Sequence, residues 1–196
     1  MKTSRQVSLA TVLLLTAFAA KAQVPAASSA APPETVPISS LIATVAKNTG
    51  RKFVLDPRVR ASVALIGEEP SSVTYDQLLT ILDIYGYTAV PTGGYVQVVP
   101  NADVRFEPLP FVSGNEKYPD SQYVTAVLHV RSIPAAWFVP ILRPLLPQWT
   151  HLAAMPCSND LVIVERFANV RRIETIVKAM DTGQAIKPRS CAQAPH

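Results

Sequence analysis

Apolar residues recur at helical spacing within residues 71–90, where Leu78, Leu79, Ile81, Leu82 and Tyr85 fall on one stripe. Thr74 stands three residues before Gln77, the spacing of a capping box, and Val73 and Leu78 have the spacing of a hydrophobic staple. Gly86 is placed to end the helix in a left-handed conformation. Residues 87–90 then restart the chain as a strand. The pattern predicts a helix built to lie on a sheet.

Elements of the same kind precede it. Residues 35–39 read as an edge strand, which tolerates Pro37. Ser39 or Ser40 is the expected cap of a helix carrying Leu41, Ile42, Val45 and Ala46, stopped at Gly50. Residues 53–55 form a short strand ending in an Asp56-Pro57 turn, and residues 62–66 a second strand. After the central helix, Pro91-Thr92-Gly93-Gly94 between two apolar runs signals a hairpin. The order is strand, helix, two strands, helix, two strands.

Residues 105–121 contain three prolines and no apolar period, and read as a linker whose Phe106, Leu109 and Phe111 pack on a neighbouring domain. Beyond it Val124, Ala126, Leu128 and Val130 alternate as on a half-buried strand. Ser132 is the expected cap of a helix with a buried stripe of Phe138, Ile141, Leu142 and Leu145. Pro140 should bend that helix, and Pro144 with Pro147 should cut it short. Two strands around Ser158-Asn159-Asp160 follow, then a helix lined by Val170, Ile173, Ile176, Val177 and Met180. The fold class is α+β: two small mixed α/β domains, the second a β-α-β-β-α arrangement resembling a KH-like module.

Four stretches carry a family resemblance. Leu82-Asp83-Ile84-Tyr85-Gly86-Tyr87 resembles the second helix and following strand of the first periplasmic domain of type II secretion secretins. Residues 45–60, VAKNTGRKFVLDPRVR, resemble that domain's first helix and its strand ending in Asp-Pro. Residues 131–146, RSIPAAWFVPILRPLL, are similar to the opening helix of the next secretin domain, and residues 156–164, PCSNDLVIV, to its Pro-x-Ser-Asn hairpin. The resemblance covers residues 35–183 and implies secretin N-terminal domains without the membrane-barrel region. The first domain's outline also resembles the short domain at the N-terminus of some TonB-dependent receptors.

Composition narrows the setting. Residues 1–22 have a positive start at Lys2 and Arg5, an apolar run and an Ala20-Lys21-Ala22 cleavage pattern, which together read as a secretory signal peptide. The apolar run is shorter than the roughly 20 residues that span a bilayer. Residues 23–34 are an Ala/Pro/Ser linker, residues 35–104 and 122–183 the two domains, and residues 184–196 a tail. The mature chain is expected in the periplasm, near an outer-membrane secretin complex. Eighteen prolines against seven glycines argue for stiff connections.

The chemistry-bearing residues do not assemble into a site on this reading. His129, His151 and His196 lack metal-ligand spacing, and Glu68-Glu69 is a solvated loop pair. No nucleophile elbow or phosphate loop is present, so neither enzyme activity nor a cofactor is expected. A KH-like outline invites nucleic acid, but no glycine occurs in residues 122–181 to build the backbone-clamping loop, and the net charge of +4 is scattered. Cys157 and Cys191 are the two thiols. An intramolecular disulfide and separate or interchain thiols both remain open.

Surface for partners remains. Edge strands accept a strand from another protein, and the candidates are Thr35, Val36 and Ile38 on one strand and Ser62, Val63, Ala64 and Leu65 on the other. The secretin resemblance implies a secretin ring or an inner-membrane secretion platform protein as partner, and possible homo-oligomers. The TonB-type outline implies a signalling module instead.

Overall fold

A computed structural model describes residues 34–114 and 116–186. Residues 1–33, which hold the expected signal peptide and nearly all of the expected Ala/Pro/Ser linker, and residues 187–196 with Cys191 and His196 lie outside the described residues.

The first domain runs β1 (Thr35–Pro37), α1 (Ile38–Thr49), β2 (Phe53–Leu55), β3 (Ser62–Ala64), α2 (Tyr75–Ile84), β4 (Tyr87–Thr92) and β5 (Tyr95–Pro100). β1 and β3 make an antiparallel two-stranded ribbon, while β2, β5 and β4 form a separate three-stranded sheet in that order. The helices bury Leu41, Ile42, Val45, Leu78, Leu79 and Leu82 against Ala89, Val96 and Val98 of the sheet.

The central helix forms as its sequence dictates. The Thr74 side chain accepts the Gln77 amide while Gln77 Oε1 accepts the Thr74 amide, closing the capping box. Val73 and Leu78 are both buried, as a staple requires. Gly86 follows the helix at φ 82°. The hairpin turn is tighter than expected: β4 continues through Pro91 and Thr92, leaving Gly93-Gly94 at φ 57° and 83°. Two consecutive positive φ values are the two-residue type I′ geometry, and Pro91 is tolerated because β4 is an edge.

Neither Ser39 nor Ser40 caps α1. The helix starts two or three residues earlier, at Ile38, with Pro37 as N-cap and no side-chain cap bond. The fixed φ of Pro37 and the burial of Ile38 start it instead.

The second domain runs β6 (Phe111–Val112), β7 (Tyr123–His129), α3 (Ala135–Leu142), β8 (His151–Met155), β9 (Asp160–Arg166) and α4 (Phe167–Met180). Its sheet has the order β6-β7-β9-β8. The β-α-β-β-α core is the expected one. β6 is an addition, a parallel edge strand inside the stretch read as linker. Phe106 and Phe111 do not pack on a neighbour; they are 73% and 51% exposed.

α3 ends at Leu142 and tightens to a 3₁₀ turn over Arg143–Leu145. Leu146 leaves that turn in an extended conformation and is buried, while Leu145 is exposed. Ile141 is also exposed, and the buried face is Ala135, Phe138 and Leu142. Ser132 caps nothing. Its amide and hydroxyl bind Asp181 at the end of α4. Met180, at the end of the expected α4 stripe, is 40% exposed.

Candidate docking surface

The candidate docking strands pair with each other, Thr35 opposite Ala64, Val36 opposite Val63 and Pro37 opposite Ser62. Two of the expected contact residues are core residues instead: Ile38 opens α1, and both Ile38 and Val63 are 1% exposed. Thr35 and Ser62 are exposed, and Val36, Ala64 and Leu65 are half-buried, with Leu65 just past β3.

Backbone alternation decides what the ribbon offers. The Ile38 amide donates to the Ala61 carbonyl, so Ile38–Ala61 and Val36–Val63 are the inward pairs and Thr35, Pro37, Ser62 and Ala64 point outward. On the β3 side the outward Ala64 amide already donates to the Tyr85 hydroxyl, at 3.3 Å. On the β1 side stand the Thr35 amide and carbonyl, on an exposed residue, while the Pro37 carbonyl belongs to the N-cap of α1 and takes that helix's first bond.

The surrounding loop is fixed by the tyrosine that opens β4. The Tyr87 hydroxyl accepts the Arg60 amide and lies 3.1 Å from the Arg58 and Arg60 carbonyls. Arg58 grips Asp56 through two nitrogens and reaches Asp103 at 2.6 Å. Hydrogen bonds from the Arg58 side chain and backbone hold the Asp56 carboxyl down at about 2.

A second polar cluster lies between the two domains. Asp83 Oδ1 accepts from the Tyr123 hydroxyl at 3.1 Å and from Asn101 Nδ2 at 3.2 Å, and Oδ2 from Arg166 Nη1 at 2.7 Å. Trp149 Nε1 donates to the Tyr123 oxygen, and Gln122 Nε2 to the Ala89 carbonyl. Burial pushes the Tyr123 phenol well above its ordinary value, and it pushes Glu165 up as well. Burial pulls on Arg166 in the opposite sense, but the Asp83 and Glu165 carboxylates outweigh it and keep the guanidinium charged. Sequence reasoning missed this cluster, whose members lie up to 83 residues apart.

Cys157 lies between β8 and β9, and its candidate partner Cys191 is outside the described residues. His129 Nδ1 meets Asp160 at 2.8 Å, and His151 opens β8. Among the described residues no three His, Cys, Asp or Glu side chains gather as metal ligands, and no helix is long and apolar enough to cross a membrane.

Residues 34–98 match the family model described as GspD-like, N0 domain. Secretin XcpQ of Pseudomonas aeruginosa is 35% identical over 146 residues, covering 74% of this chain and 21% of XcpQ. The chain carries the N-terminal domains of a type II secretin. Secretin ExeD of Aeromonas hydrophila is 30% identical over 152 residues, covering 74% of this chain and 22% of its own length. The chain thus spans about a fifth of the secretins it matches. Among solved structures, PulD in the type II secretion outer membrane complex of Klebsiella pneumoniae, solved with PulS and the PulC HR domain, superposes with a TM-score of 0.64 at 27% identity. That match covers 78% of this chain and 27% of the other, so the secretin likeness extends past the N0 domain into the second.

Proposed function

We propose that this chain is a non-enzymatic periplasmic component of a type II-like protein secretion apparatus, docking through its N0-type domain to secretin or to an inner-membrane platform protein. Residues 1–22 are read as the export signal, with the domains at residues 35–104 and 122–183. The outer edge of β1 is the observation that carries the docking reading. It offers the Thr35 amide and carbonyl on an exposed residue, whereas the Tyr85 hydroxyl already occupies the Ala64 amide on β3. Strand addition there forms backbone hydrogen bonds with little demand on side-chain identity. PulD, a similar protein, is found with PulS and the PulC HR domain, which supports a partner of that kind.

The test is a pull-down from periplasm and solubilised membranes with the full chain and two variants. Thr35→Pro deletes the outward β1 amide, and Ser62→Pro deletes an outward amide on β3. Recovery of secretin or an inner-membrane platform protein by wild type and Ser62→Pro, but not by Thr35→Pro, is the expected outcome. Equal recovery by all three would remove β1 as the docking edge. Recovery of TonB-family or anti-sigma proteins alone would replace secretion by signalling.

A further inference from the structure

Val90, Val99, Val104, Tyr123 and Val164 are buried yet belong to neither hydrophobic core. Three come from the first domain and two from the second. Thr88 and Asn101 on one side, and Gln122 and Glu165 on the other, add buried polar groups. Among the described residues no strand of one domain pairs with a strand of the other, so side chains make the seam. Its strength therefore depends on few groups, and it can part without breaking either core.

Those groups pull in opposite directions. Asp83, at the end of α2, collects Tyr123, Asn101 and Arg166, and its contacts with Tyr123 and Arg166 cross the seam. Glu165 is the opposing member. Its side chain is fully buried, its Oε1 accepts the Arg166 amide at 2.8 Å and a long 3.4 Å contact from Arg166 Nε, and its Oε2 lies within hydrogen-bond distance of no protein donor, the Asn169 side chain giving the carboxylate only weak support. One guanidinium serves two carboxylates, and the nearer contact goes to Asp83. A buried carboxylate with an unused oxygen carries a desolvation cost that water removes when the seam opens.

We propose that Asp83, Tyr123 and Arg166 form a latch that holds the two domains as one rigid unit, and that buried Glu165 is the built-in load that favours its release. The element has two states, closed with Glu165 dry and open with Glu165 hydrated, and a ligand or partner shifts it by preferring one of them. The inference stands apart from the docking edge, since none of the seam residues named here lies on β1.

Nuclear magnetic resonance on the full chain tests it. Residual dipolar couplings from the two domains should fit one alignment tensor in the wild type. The Trp149 indole proton, hydrogen-bonded to the Tyr123 oxygen, should exchange at least tenfold more slowly than that of exposed Trp137. Asp83→Ala should split the couplings into two tensors, with chemical shifts inside each core retained, and abolish the Trp149 protection. Glu165→Gln should keep one tensor and slow Trp149 exchange further. Tyr123→Phe, which removes one hydroxyl, decides the matter by the same tensor criterion if Asp83→Ala fails to fold. Two tensors in the wild type, or one tensor in both Asp83→Ala and Tyr123→Phe, would overturn the latch. Faster Trp149 exchange in Glu165→Gln would overturn the role of Glu165.

Discussion

Asn159 Oδ1 accepts the Ala135 amide at 2.7 Å, so the turn before β9 caps α3 from 24 residues away. The same side chain donates through Nδ2 to the Val130 and Ile133 carbonyls, and the Asn159 carbonyl accepts the Val130 amide. At φ 59° and 5% exposure, the position suits a residue that tolerates the left-handed region and can both donate and accept. Asn159→Ala should leave buried groups unpaired at about 1–3 kcal/mol, with about 1 kcal/mol more from the lost cap. Asn159→Asp keeps the acceptor and should fall between. Urea midpoints of the three proteins check the order, and an Asn159→Ala midpoint equal to wild type would remove Asn159 from this role.

Leu82 is fully buried in the first core, while Thr74 acts only at the helix entrance. Leu82→Ala should cost about 2–5 kcal/mol. Thr74→Ala should cost about 1 kcal/mol. Chemical denaturation gives both numbers, and similar small losses would be incompatible with Leu82 anchoring the core.

What was legible in the sequence was local. Thr74, Gln77, Val73, Leu78 and Gly86 lie within fourteen residues, and each acts on its near neighbours. The α3 stripe misled at its end because the α-helix stops at Leu142, and Leu146, extended beyond the short 3₁₀ turn, is the residue buried there. β6 escaped because two residues, Phe111 and Val112, leave no period, and their partners Thr125 and Ala126 are fourteen positions away. The seam was hidden for a different reason. Asp83 reads as an ordinary polar helix position, and its meaning depends on Arg166. A signal did exist in Leu161-Val162-Ile163-Val164, where apolar residues on both faces of β9 imply cover on both sides.

Cys157 and Cys191 are the chain's two cysteines, so an intramolecular bond can join only these. The oxidised chain, denatured without reductant, should label with no thiol reagent and run as a monomer. The bond would close a loop of about 34 residues, and reducing it should lower stability by about 3–4 kcal/mol on the chain-entropy account. Two labelled thiols in the oxidised monomer would rule the bond out.

Glu165 should leave a signature in the pH dependence of stability. Burial holds its carboxyl above the ordinary value of 4.5, with Arg166, Asp83 and Tyr123 as the charged and titratable groups around it. In the window from about 4.5 upward to the raised folded value, the native state keeps a proton that the unfolded chain has released. Stability from this group is therefore complete below the window and declines as pH rises through it. Asp56 works at the other end. Held down at about 2 by Arg58, it loses its stabilising contact only as pH falls from its ordinary 3.8 through that value. The two windows do not overlap, so the difference between wild type and Glu165→Gln isolates Glu165. Glu165→Gln should gain stability relative to wild type as pH rises from 4.5 towards neutrality. Denaturant unfolding at half-unit steps measures that difference, and a flat or falling difference across the window would show that Glu165 is not desolvated in the folded chain.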